Sequence, residues 1–114
     1  MDHKMPSLKV TWLSPVEELP IRPYREVAFF SGDIRNFLQL CGRPAPEICR
    51  NDLGEYYVAR LFIDDIPMQL VGLVPFAEQE FAVVADPAEG AKAKDGVVKL
   101  LSEVGYAVNE YLPR

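Results

Sequence analysis

Two apolar runs on either side of one aspartate pair restrict the fold of this chain more than any other feature. Residues 56–76 read YYVARLFIDDIPMQLVGLVPF, and Arg60 is the only charged residue in them besides Asp64 and Asp65. Each run has the length and composition of a β-strand. Aspartate tolerates left-handed backbone better than most residues, so the two-residue connection predicts a β-hairpin. Because polar and apolar residues hardly alternate, we expect both faces of these strands to be covered.

Other strands are predicted on both sides of this hairpin. Residues 7–13 alternate as a half-buried strand, residues 25–30 form a second short strand, residues 78–85 a third apolar run, and residues 106–112 a closing strand. Pro15, Pro20 and Pro23 lie between the first two strands and predict an extended crossing of the surface. Residues 43–54 contain two prolines and are expected to form a loop or a short edge piece.

Apolar residues recur at helical spacing in two further segments. The first places Ile34, Phe37, Leu38 and Cys41 on one side, with Ser31 as the candidate N-cap and Gly42 directly after. The second has apolar positions at Val97, Leu100, Leu101 and Val104, with Asp95 as the candidate N-cap and Gly105 at its end. Two amphipathic helices are therefore predicted.

These elements predict one α+β domain over residues 1–114, with residues 1–6 disordered. We expect a mostly antiparallel sheet of about five to six strands with two amphipathic helices packed on one face. The other face then needs the N-terminal strands or another protein chain to cover it. Gly72 lies inside a predicted buried strand and indicates a bulge or a close approach by a side chain, of which the bulge is more common.

Several classes of function receive no support from the residues. Residues 1–20 contain no apolar run of signal-peptide length, and no run is long enough for a membrane span, so a cytoplasmic protein is expected. His3 is the only histidine and Cys41 and Cys49 form no Cys-x-x-Cys pair, so we predict no metal site and no cofactor. The two cysteines are either reduced or bridged to each other. We predict no catalytic residues, since no nucleophile has an evident base.

Charge is distributed unevenly along the chain. The formal net charge is −5, and the segment 64–89 contains six acids and no lysine or arginine: Asp64, Asp65, Glu78, Glu80, Asp86 and Glu89. Such a field repels nucleic acid and attracts basic protein surfaces. The alternative is that these acids are solvated turn residues that serve solubility.

The hypothesis that follows is a small cytosolic protein-binding module without catalytic activity. Its size and charge suit an inhibitor or immunity-type protein that docks a basic partner such as a nuclease toxin. Tyrosine and arginine are common in such contacts, and the predicted partner-binding residues are Tyr57, Arg60, Asp64, Asp65, Glu78 and Glu80. Two alternatives stay open: a small-ligand binder or minor enzyme that uses a pocket between helix and sheet, and a homodimer in which a second copy covers the strands.

Overall fold

The computed structural model describes residues 8–14, 17–43, 47–52, 54–76, 78–106 and 109–110. In these ranges the chain has an α+β fold with seven strands and two helices. In chain order these are β1 (Val10–Trp12), β2 (Arg25–Ser31), α1 (Ile34–Leu40), β3 (Glu47–Asn51), β4 (Gly54–Ile63), β5 (Ile66–Leu73), β6 (Glu80–Ala85), α2 (Gly90–Val104) and β7 (Asn109–Glu110). Residues 1–6, which we expected to be disordered, lie outside the described ranges.

All strands belong to one antiparallel sheet in the order β1, β4, β5, β6, β2, β7, with β3 also paired to β4. β1 and β3 share one edge of β4, since β1 pairs with residues 61–63 and β3 with residues 54–58. The strand count exceeds the expected five to six because residues 47–51 form a full edge strand. A segment with few alternating apolar residues gives little warning of this pairing.

The predicted hairpin at Asp64 and Asp65 is confirmed. Ile63 pairs with Ile66, and both aspartates have positive φ, 49° and 69°. Positive φ at both central residues gives the turn a twist that matches that of two antiparallel strands.

The bulge predicted at Gly72 is wrong. β4 and β5 pair without interruption from Tyr56–Leu73 to Ile63–Ile66, and Gly72 lies opposite Tyr57 within this register. The one irregularity recorded in β2 falls between Glu26 and Ala28.

One face of the sheet forms the core together with both helices. Cross-strand partners share a face, and the row through Leu61, Met68 and Ala85 is buried, as is the row through Leu70 and Val83. The helices contribute Ile34, Phe37, Leu38, Ala93, Val97, Leu100 and Leu101 to the same cluster. The ring of Phe37 stacks on that of Phe81 with 5.7 Å between centroids.

Both predicted helix starts are wrong, although both helices exist. The side chain of Asp33 caps α1 by accepting from the backbone N–H of Arg35 at 2.8 Å, while Ser31 ends β2. α2 begins at Gly90, so Asp95 lies inside it. A 3-10 turn, Pro87–Glu89, leads directly into the helix, and the small residues of the first turns gave no amphipathic signal. The end is as predicted, with Gly105 at φ 73°.

The face of the sheet opposite the core is called the outer face. The segment between β1 and β2 links strands on either side of β4, β5 and β6, and its described residues 17–24 are called the crossing segment. After β1 the backbone N–H of Leu13 donates to the carbonyl of Arg60, and the chain then leaves the sheet edge. Residues 17–24 form no helix or strand, as the prolines predicted. The hydroxyl of Tyr24 donates to the carbonyl of Pro20 at 2.6 Å and holds the end of this segment before β2.

Candidate functional site

The structure separates the six predicted partner-binding residues into three places. Met68 pairs with Ala85 at the end of β6, so the turn at Asp64 and Asp65 lies beyond that end. Glu80 is the first residue of the same strand. Five steps of about 3.3 Å put roughly 17 Å between the two ends. The acids that are close in sequence are therefore divided between opposite ends of the sheet.

Arg60 lies on the outer face, where it fastens the crossing segment. Its guanidinium donates to the carbonyls of Glu17 at 2.6 Å and Ser14 at 3.2 Å, and to the carboxylate of Glu47 at 2.8 Å. The side chain is only 16% exposed. Its contacts thus join the crossing segment and β3 to β4.

Tyr57 and Glu78 come together through Arg35, a residue that the sequence did not single out. The Arg35 guanidinium lies 5.6 Å from the Tyr57 ring centroid and 3.1 Å from the Glu78 carboxylate. The hydrogen bond and charge of Asp33, followed by the hydrogen bond of Glu78, raise the pKa of Arg35. These contacts link the start of α1 to the sheet on the helix side.

Asp64 and Asp65 border a groove between the β4–β5 turn and α2. Its volume is about 430 Å³, and Ile63, Ile66 and Gly96 form its apolar floor. Its charged rim consists of Asp64, Asp65, Glu89, Lys92, Asp95 and Lys99. We call this surface the acidic groove.

Lys9, the residue before β1, contacts the turn at the rim of the acidic groove. Asp64 Oδ1 accepts from the backbone N–H of Lys9 at 3.1 Å, and its own N–H donates to the Lys9 carbonyl at 2.9 Å. Lys9 Nζ is 3.6 Å from Asp65, with both side chains largely exposed. The backbone bonds hold the turn in place, whereas the exposed ion pair adds little.

Helix α2 supplies the part of the rim that sequence reasoning missed. Lys92, Asp95, Gly96 and Lys99 recur at intervals of three and four residues and therefore lie on one side of the helix. That spacing is visible in the sequence, but the predicted helix start at Asp95 hid half of it. The two lysines partly balance the carboxylates.

The thiols and carboxylates are the candidate reactive or ligating groups of the chain. Cys41 and Cys49 are free thiols. Partial burial raises the pKa of the Cys41 thiol from 9.0 to about 11, so this thiol ionises little near neutral pH. Within the described ranges, no group of three or more His, Cys, Asp or Glu side chains is placed to hold a metal ion.

In the described part of the chain, neither helix has the length and apolar character needed to cross a bilayer. Comparison of the chain with protein-family models, with curated proteins and with solved structures gave no match.

Proposed function

We propose that this chain is a protein-binding domain without catalytic activity, and that it docks a basic segment of another protein in the acidic groove. The observation that supports this proposal is the pairing of an apolar floor with a carboxylate rim. Lysine and arginine side chains have an apolar stem and a charged head, so they match such a groove along their whole length. An inhibitor or immunity-type protein that covers a basic nuclease is one function of this kind.

Electrostatics favour the same class of partner. The groove lining carries four carboxylates and two lysines, and Lys9 lies beside Asp65 at the rim, so the local charge is 3 − 4 = −1 within a chain of net charge −5. Asp64, Asp65 and Asp95 are exposed, so an approaching cation meets them without a large desolvation cost. Such a field speeds the encounter with a basic surface and weakens as salt rises.

The proposal centres on Asp64 and Asp65. Tyr57, Glu78 and Glu80 lie near the other end of the sheet, and Arg60 is engaged with Glu17, Ser14 and Glu47. Their participation stays a prediction, which requires a partner large enough to reach from one end of the sheet to the other.

The test compares two double variants as affinity baits in the native host at low salt. Asp64→Asn/Asp65→Asn removes two charges from the groove, and asparagine accepts the left-handed backbone of the turn. Glu18→Gln/Glu103→Gln removes two charges from exposed positions that do not line the groove. We expect mass spectrometry to find a stoichiometric basic protein with the wild type and the control, and at least tenfold less of it with the groove variant.

Salt supplies a second readout, because a charge-driven contact should dissociate as ionic strength rises. A partner retained equally by both variants would contradict the groove proposal. A retained small molecule, lost only from the groove variant, would assign the groove to a ligand and favour the alternative of a small-ligand binder.

A further inference from the structure

In the part of the chain that the structure describes, β3 is an edge strand with one open side. Its only partner among the residues that the structure describes is β4. The strand reads EICRN without proline or lysine, and the side chain of Ile48 is 60% exposed. An edge of this kind offers its N–H and C=O groups to another strand.

The β3–β4 hairpin determines which backbone groups point outward. Asn51 pairs with Gly54 across a two-residue connection, so these two residues exchange hydrogen bonds. Hydrogen bonding alternates along an antiparallel ladder, so Cys49 and Glu47 also direct their groups toward β4. Ile48 and Arg50 therefore direct their N–H and C=O groups away from β4.

A second copy of β3 fits this pattern in one register. If two β3 strands pair antiparallel about Cys49, Ile48 of each lies opposite Arg50 of the other, and both pairs are hydrogen-bonded. Four backbone bonds then satisfy every outward group of the two residues. Centring on Ile48 or on Arg50 would make only two such bonds within the strand, because the other of these two residues would then face a position beyond β3.

The side chains of the strand suit the same arrangement. Ile48 of each copy lies opposite Arg50 of the other on one face of the joined sheet. Glu47 stays paired with Arg60, and Arg50 with Glu55, within each chain. The aliphatic stem of Arg50 can cover the exposed Ile48 of the facing strand. β3 pairs with the half of β4 that is distant from Asp64 and Asp65, which keeps the acidic grooves of the two copies apart.

We propose that β3 pairs with β3 of a second copy, antiparallel and centred on Cys49, so that the two sheets join into one. The two Cys49 residues then form the pair that is not hydrogen-bonded, with Cα atoms about 4.5 Å apart. That separation lies within the range of a disulfide. This surface is distinct from the acidic groove, so each proposal can fail without the other.

Thiol cross-linking tests the register directly. Diamide accepts two electrons and two protons as two thiols form one disulfide, and the covalent dimer is read on a non-reducing gel. We expect Cys49 to cross-link at least ten times faster than an exposed thiol on α2, made as Ser102→Cys in a Cys49→Ser chain. Cys41→Ser should leave the rate unchanged, because Cys41 lies outside β3. Equal rates for Cys49 and the α2 thiol would overturn the proposal.

Sedimentation velocity on matched variants tests the surface without cysteine chemistry. Ile48→Lys places a cation opposite Arg50 of the partner, and we expect at least a tenfold loss of association. Val98→Lys changes an exposed apolar residue of α2 in the same way and should associate as the wild type does. A wild type that stays monomeric at all concentrations, a dimer that Ile48→Lys does not weaken, or an edge occupied by a strand of another protein would each contradict the proposal.

Discussion

The two faces of the sheet are both apolar, but they are covered in different ways. On the helix side, buried side chains of α1 and α2 interlock with the core residues of four strands. On the outer face, the chain after β1 is fastened by the hydrogen bonds of one arginine, and most residues of the crossing segment stay exposed. An apolar strand pattern thus indicates that a face is buried, but it does not indicate whether packed helices or a loosely attached segment covers that face.

The largest expected effect comes from adjacent valines in β6 that point to opposite faces. Val83 is fully buried on the helix side, and Val84 is half-buried on the outer face. Val83→Ala should lower the free energy of unfolding by about 2–3 kcal/mol, because two methyl groups are lost and a cavity is left. Val84→Ala should cost about 1 kcal/mol or less. Equal costs in urea titrations would remove the distinction between the faces.

A smaller effect is expected when the crossing segment loses its fastening. Arg60→Met keeps the stem but removes the donors to Glu17, Ser14 and Glu47. We expect a cost of about 2 kcal/mol, since charged hydrogen bonds are lost and Glu47 keeps an unpaired charge. Glutamyl endopeptidase should also cleave after Glu18, an exposed residue of this segment, several-fold faster while the core stays folded. An unchanged cleavage rate would show that other contacts hold the segment.

The tightness of the helix side can be tested at Gly96. A Cβ added there would lie 2.9 Å from Ile63 Cγ2, and Ile63 is buried. Gly96→Ala should destabilise by about 1 kcal/mol, because a strain of about 2 kcal/mol exceeds the gain of about 1 kcal/mol in helix propensity. Thermal unfolding measures the change, and a stabilised variant would show that α2 can move away from β4.

The smallest effect is expected at the far end of the crossing segment. Tyr24→Phe removes the hydrogen bond from the hydroxyl to the carbonyl of Pro20. The bond is exposed, so we expect a cost of about 0.5 kcal/mol, well below that of Arg60→Met. A loss of unfolding free energy larger than that of Arg60→Met would show that the Tyr24 hydrogen bond, and not Arg60, is the main attachment of the segment.

Arg60 shows where prediction from sequence stops. A lone charge in an apolar strand indicated a partner-binding residue, yet its hydrogen-bonding partners Glu17 and Ser14 are 43 and 46 residues away. Nothing local to Arg60 reveals them. The Asp33 cap, by contrast, lies only two residues from the Arg35 N–H that donates to it. Local pattern therefore reveals a cap in this region, although Ser31 fits the same pattern.

By itself the sequence determined the features that depend on neighbours in the chain. The hairpin at Asp64 and Asp65, the two helical stripes and the end of α2 at Gly105 follow from local backbone preference and side-chain periodicity. Tertiary structure alone decided which charges meet. Glu80 and Asp65 lie at opposite ends of the sheet, about the length of β6 apart. Lys92 and Asp95 of α2, by contrast, lie beside the turn that contains Asp65. An antiparallel sheet joined to helices places distant residues together and sequence neighbours apart, which no local pattern records.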